Sequence, residues 1–165
     1  MSTNAFSLQS LIRTEAAADP AFVFDGTPVS REHFSEKVEQ TAAWLAAQGI
    51  GKGDVVAVWL VNRIEWLALL FAAARCGAVV AAVNTRYRSA EVAHLLRLSG
   101  ARLMVVEAAF RSIDFAAILA GIARDEVPAL QKLAMVGADA IPAHWPCVRF
   151  DAFDELTGFR VERYL

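Results

Sequence analysis

An α/β fold built on a mainly parallel sheet is predicted by three features of the sequence. Apolar, β-branched runs at residues 55–60, 79–83 and 103–106 alternate with segments of helical periodicity. Those runs are continuously apolar, which a parallel sheet covered by helices on both faces requires. Alanine supplies 32 of the 165 residues, and small side chains let helices lie close on such a sheet. The expected architecture is therefore a three-layer βαβαβ core with helices on both faces.

Taken in order, residues 7–18 have helical spacing and are stopped by Asp19-Pro20, because proline disfavours helical geometry in the residue before it. Ala21-Phe22-Val23-Phe24, the turn Asp25-Gly26 and Val29 predict a small hairpin. Ser30 is placed to cap the next helix, whose apolar positions Phe34, Val38, Thr41 and Leu45 share one face; Gly49 ends it. After the strand at 55–60, Asn62 with Glu65 three residues on predicts a helix start for 64–76, stopped by Gly77. The strand at 79–83 leads to a helix capped by Ser89 and ended at Gly100, and a third strand follows at 103–106. Beyond it the signal weakens, with a helix expected over 114–122, a strand over 133–136, a loop over 141–146 and a short strand over 148–150. The predicted division is an N-terminal helix and hairpin at 1–30, a βαβ core at 31–106 and a looser α/β extension at 107–165.

Composition excludes several classes of protein. With 56% hydrophobic and 21% charged residues, the chain is neither disordered nor dependent on disulfides. The formal net charge of −2 supplies no basic field to hold nucleic acid. The apolar stretch over 55–83 is interrupted by Arg63, Glu65 and Arg75, so no uncharged run reaches the roughly 18 residues of a spanning helix. The mean hydropathy of +0.39 therefore points to buried core. Residues 1–12 have no basic region ahead of an apolar stretch, and a cytoplasmic location is expected.

No catalytic or metal-binding constellation is recognisable. Cys76 and Cys147 lie outside any metal spacing and sit beside apolar residues, as buried small hydrophobes do. His33, His94 and His144 have no partner at ligand spacing. Asp151, Asp154 and Glu155 have the pattern of a solvated acidic turn. Gly49-Ile50-Gly51-Lys52-Gly53 has the look of a phosphate loop, but it follows a helix and precedes a strand, the reverse of the order that lets helix amides meet phosphate. One group does carry chemistry. Arg63, Arg86, Arg88 and Arg111 all fall just after the carboxyl ends of successive strands, where open α/β sheets bind ligands, so they form a candidate cofactor-binding site for an anion such as phosphate. The alternative is that they are surface residues paired with Glu65, Glu91 or Asp114.

A long ordered set of residues carries a family resemblance: Phe24-Asp25-Gly26-Thr27-Pro28-Val29-Ser30, Leu45, Gly49-Ile50, Gly53-Asp54-Val55-Val56-Ala57-Val58, Asn62, Glu65, Ala72-Ala73, Gly77-Ala78-Val79, Asn84, Glu91, Leu95 and Ser99-Gly100-Ala101. In this order and spacing the chain resembles the N-terminal portion of the adenylate-forming acyl-CoA synthetases, the AMP-dependent synthetase and ligase superfamily. The match is close over residues 19–106 and looser through 111–153. The resemblance implies an incomplete N-terminal subdomain of an enzyme that activates a fatty or aromatic acid with ATP and magnesium. That enzyme then transfers the acyl group to coenzyme A.

Family members use a Ser/Thr/Gly-rich phosphate loop ending in Lys, adenine-binding and ribose-binding motifs, and a lysine on a mobile C-terminal domain. None of these motifs occurs within the 165 residues. The chain alone is accordingly expected to be inactive, with no catalytic residue, no metal ligand and no cofactor of its own assigned. Its expected partner is the remainder of a synthetase chain, with self-association through exposed sheet edges. Two other readings stay open: a stand-alone flavodoxin-like module that binds a nucleotide or coenzyme, and an interaction fragment without a small-molecule role.

Overall fold

The computed structural model describes Leu8, residues 20–137 and residues 144–150. The helix expected over 7–18 lies, apart from Leu8, outside the described residues, as do Asp151, Asp154 and Glu155. The described part opens with the antiparallel hairpin β1 (Phe22–Phe24) and β2 (Thr27–Val29). Its turn has Asp25 at φ 49° and Gly26 at φ 74°, the pair of positive angles that matches the twist of a two-residue hairpin. Helix α1 (Arg31–Ala47) follows, and the Ser30 hydroxyl accepts the His33 amide at 3.1 Å, as an N-cap does.

The central layer is a five-stranded sheet built from β3 (Val55–Trp59), β4 (Val79–Ala82), β5 (Leu103–Glu107), β8 (Lys132–Val136) and β9 (Cys147–Arg149). Their order is β4-β3-β5-β8-β9 and every pairing is parallel. Helices α2 (Ile64–Cys76), α3 (Ser89–Ser99) and α4 (Phe115–Ala120) complete the layers, and a two-stranded hairpin, β6 (Ala109–Phe110) and β7 (Ile113–Asp114), precedes α4.

Alternate residues of the central strands feed two separate cores. Val56, Val58, Leu103, Val105, Ala134 and Val136 meet α1 and α2 on one face. Ala57, Trp59, Met104, Val106, Leu133 and Met135 meet α3 and α4 on the other. Aromatic edges tie the layers together: Phe34 of α1 touches Phe22 of the hairpin and Phe71 of α2, at centroid distances of 5.0 and 5.6 Å. Trp59 meets Phe115 edge-on at 4.7 Å on the opposite face. Gly49 to Gly53 form the connector from α1 to β3, with Gly49 and Gly53 at φ 80° and 87°. At the start of β3, the Asp54 carboxylate accepts from Arg102, just ahead of β5, at 2.6 Å and from the Gly51 amide at 2.9 Å.

The caps of two helices differ from expectation, although α2 begins at Ile64 as predicted. Asn62 does not cap α2; the cap position belongs to Arg63, in extended geometry and without a capping side-chain bond, since a guanidinium has no acceptor, and Glu65 pairs with that guanidinium. Ser89 does not cap α3 either. Arg88 occupies that position, with its amide donated to Glu91 at 2.9 Å, while the Ser89 hydroxyl donates to the Ile118 carbonyl at 2.7 Å and docks α3 on α4. The helix expected over 114–122 is shorter, and Asp114 caps it by accepting the Ala117 amide at 2.8 Å. The β6–β7 hairpin was not foreseen.

The Ser89–Ile118 contact leaves no room at Gly121, where an added Cβ would stand 2.8 Å from the Ser89 oxygen. Rotating Ser89 away breaks its hydrogen bond, so Gly121→Ala is expected to lower stability by about 0.5–1.5 kcal/mol in urea unfolding. Gly51→Ala, whose Cβ has nothing within 4 Å, is the control and should stay within about 0.5 kcal/mol of the parent.

Candidate functional site

The winding of the sheet reverses at β3. From β3 the chain crosses by α2 to β4 on one side, then returns by α3 to β5 on the other side of β3. Loops leaving the carboxyl ends of β3 and β5 therefore diverge to opposite faces, and the crevice between them is the place where open α/β sheets accept ligands.

Three charged side chains fill that crevice. Glu107 ends β5 and is only 7% exposed; one carboxylate oxygen accepts the Val61 amide at 2.8 Å, in the loop after β3. The other carboxylate oxygen lies 3.5 Å from Nη1 of Arg63. The Arg63 guanidinium also donates to Glu65, at 3.0 Å through Nε and 2.8 Å through Nη2, a two-pronged pair. Glu65 in turn is 8% exposed. Burial pushes the Glu107 carboxyl above its ordinary 4.5, against the opposing pull of the Val61 amide and Arg63, while Glu65 adds to the rise.

The four arginines singled out by strand position do stand on loops beyond the carboxyl ends of β3, β4 and β5, but they are not equivalent. Arg63 is held by Glu65 and Glu107. Arg86 and Arg88 are exposed on the segment between β4 and α3, where Asn84 accepts the Arg86 amide through its side chain and the Trp59 indole through its carbonyl. Arg111 sits in the β6–β7 turn at φ 52°, its guanidinium 5.1 Å from the Phe110 ring centre. None of Arg86, Arg88 and Arg111 has an ion-pair partner among the described residues.

Glu107 was missed in sequence, although an acid closing the run Leu103 to Val106 is a visible signal. Cys76 and Cys147 are half-buried with thiols pushed up by burial, the opposite of an activated nucleophile. His94 lies beside Arg97, and His144 beside the Ile122 carbonyl; neither joins the Arg63 group.

Removing Arg63 leaves two buried carboxylates without their cation. Arg63→Ala should cost stability near the lower end of the roughly 3–5 kcal/mol of a broken buried pair, since its side chain keeps some exposure. The deficit should shrink as pH is lowered and Glu107, whose carboxyl burial pushes up, takes up a proton, and denaturant unfolding across a pH series measures both effects.

Comparison with known proteins agrees with this architecture. The putative acyl-CoA synthetase YngI of Bacillus subtilis is 39% identical over 99 residues, covering 60% of this chain and 17% of that protein. The medium-chain acyl-CoA ligase ACSF2 of Danio rerio is 35% identical over 98 residues, 59% of this chain and 16% of its own length. The chain thus spans a small part of the curated relatives it matches. Among solved structures, a putative long-chain-fatty-acid CoA ligase from Rhodopseudomonas palustris superposes with a TM-score of 0.71 at 26% identity, over 86% of this chain and 35% of that one. The family model described as AMP-binding enzyme matches residues 12–155, and the chain belongs to that family.

Proposed function

We propose that this chain is the N-terminal part of an AMP-forming ligase that joins a fatty or aromatic carboxylic acid to coenzyme A. Membership of residues 12–155 in the AMP-binding enzyme family carries the reading. In that chemistry a substrate carboxylate oxygen attacks the α-phosphorus of ATP and pyrophosphate leaves with the broken P–O bond. The coenzyme A thiol then attacks the acyl carbon, loses its proton, and displaces AMP.

The crevice between β3 and β5 does not fit the triphosphate of ATP. Its one guanidinium faces two carboxylates, and the Val61 amide that would meet a phosphate is donated to Glu107. Phosphate binding needs convergent free amides and positive charge. The role supported for this segment is to supply the doubly covered sheet, with activation dependent on the phosphate loop and terminal lysine that the family uses.

The test compares two proteins in a carboxylate-dependent ATP–pyrophosphate exchange assay, followed by thioester formation with coenzyme A. A protein that carries this chain together with a Ser/Thr/Gly-rich loop ending in Lys and the C-terminal lysine domain should be active, and the 165-residue chain alone should be blank. Exchange by the short chain would overturn its proposed inactivity. Failure of the longer protein across a panel of fatty and aromatic acids would overturn the ligase reading.

A second reading, an anion-binding module, is favoured by the three exposed guanidinia of Arg86, Arg88 and Arg111. It expects the 165-residue chain to bind a phosphorylated ligand such as AMP or coenzyme A in calorimetry. Arg86→Ala or Arg88→Ala should then weaken that binding several-fold, and unchanged affinity in both variants removes the reading.

A further inference from the structure

The loop from Leu60 to Arg63 joins β3 to α2 at the switch point; Leu60 is buried in the core, and among the described residues the two polar side-chain contacts from the loop to β5 both lead to one residue. Val61 donates its amide to Glu107, and Arg63 reaches the same carboxylate from the cap position of α2. Neither Asn62, which is exposed, nor a helix-capping side chain holds the loop from its other side. We propose that Glu107 is a pH-dependent latch, whose ionised carboxylate pins the Val61–Arg63 segment against the end of β5 and whose protonation frees Arg63 and weakens the hold on Val61.

The geometry gives the two states. Ionised, Glu107 offers acceptors on both oxygens, one to a neutral amide and one to a guanidinium, and each bond is strengthened by the charge. Once protonated, the group keeps one carbonyl acceptor for Val61, but its hydroxyl becomes a donor facing the donors of Arg63. Arg63 then retains only Glu65, and the attachment between α2 and β5 is lost.

Among the described residues, two charged groups act on Glu107. From the loop after β3 comes Arg63, from α2 comes Glu65, and on β8 the residue in register is Val136, which does not titrate. Arg63 holds the carboxyl down, while burial and Glu65 hold it up, burial being the largest influence. The net effect is a midpoint above the ordinary 4.5 of a glutamic acid, so the switch operates on the neutral side of that value.

The latch is independent of the ligase chemistry and is tested on the chain itself. In amide correlation spectra of the 165-residue chain between pH 4 and pH 8, the Val61 resonance should titrate with a midpoint above 4.5. Its hydrogen exchange, corrected for the intrinsic pH dependence, should slow by several-fold as Glu107 ionises. Glu107→Gln should abolish the titration of Val61. Glu65→Gln removes a like charge and a competitor for Arg63, so it should move the midpoint to lower pH while the titration persists. A Val61 resonance that is flat over this range, or a titration unchanged in Glu107→Gln, overturns the proposal. Should Glu107→Gln fail to fold, the direction of the Glu65→Gln shift decides, and a midpoint that stays or rises overturns it.

Discussion

Burial of both faces of a parallel sheet is the constraint from which the other features follow. Strand β5 has every residue from Leu103 to Glu107 buried, and it alternates between the two cores. Each large apolar side chain withdrawn from water contributes about 1.5–3 kcal/mol, which rewards covering the second face as strongly as the first. Covering both requires the winding to reverse. With α1 and α2 on one face, α3 must return over the other, and β5 then lies beside β3 on the side away from β4. A crevice at the carboxyl ends of β3 and β5 is the geometric by-product, before any residue in it is chosen for chemistry.

Features set by local chemistry and burial were legible in the sequence. The apolar runs at residues 55–60 and 103–106 read as interior strands and form β3 and β5, and Asp25-Gly26 and Ser30 act where their conformational preferences place them. Features set by a distant partner were not legible. Asn62 and Ser89 carry the residue types of helix caps, yet neither caps its helix: Glu65 answers to Arg63 and the Ser89 hydroxyl to Ile118. Strands of two residues, such as Ala109–Phe110 and Ile113–Asp114, are too short to leave a periodic pattern. Strand order belongs to the same class, since it depends on which face each crossover takes.

The site shows the same division. Strand-end position correctly brings Arg63, Arg86, Arg88 and Arg111 to loops on one edge, because a parallel sheet delivers every outgoing loop to that edge. What each guanidinium does there is decided by acids elsewhere in sequence. Glu107 lies 44 residues from Arg63, and nothing within a local window links the two.

The pair β3 and β5 is tied at both ends by a carboxylate, and the two ties have opposite pH linkage. At the amino end, the hydrogen bond from Arg102, helped by the Gly51 amide, holds Asp54 below its ordinary 3.8. The folded state therefore binds protons more weakly there, and the stability this tie contributes is present above 3.8 and lost as pH falls through the folded value. At the carboxyl end, burial raises Glu107, so its contribution is present below 4.5 and lost as pH rises through the folded value. At neutral pH, then, one end of the strand pair favours folding through its charge and the other opposes it. The unfavourable carboxylate sits on the edge of the sheet where ligands bind, and the favourable one sits on the edge where they do not. That placement puts the raised carboxylate beside the loop that the proposed latch would move, and the lowered one at the far end of the same two strands.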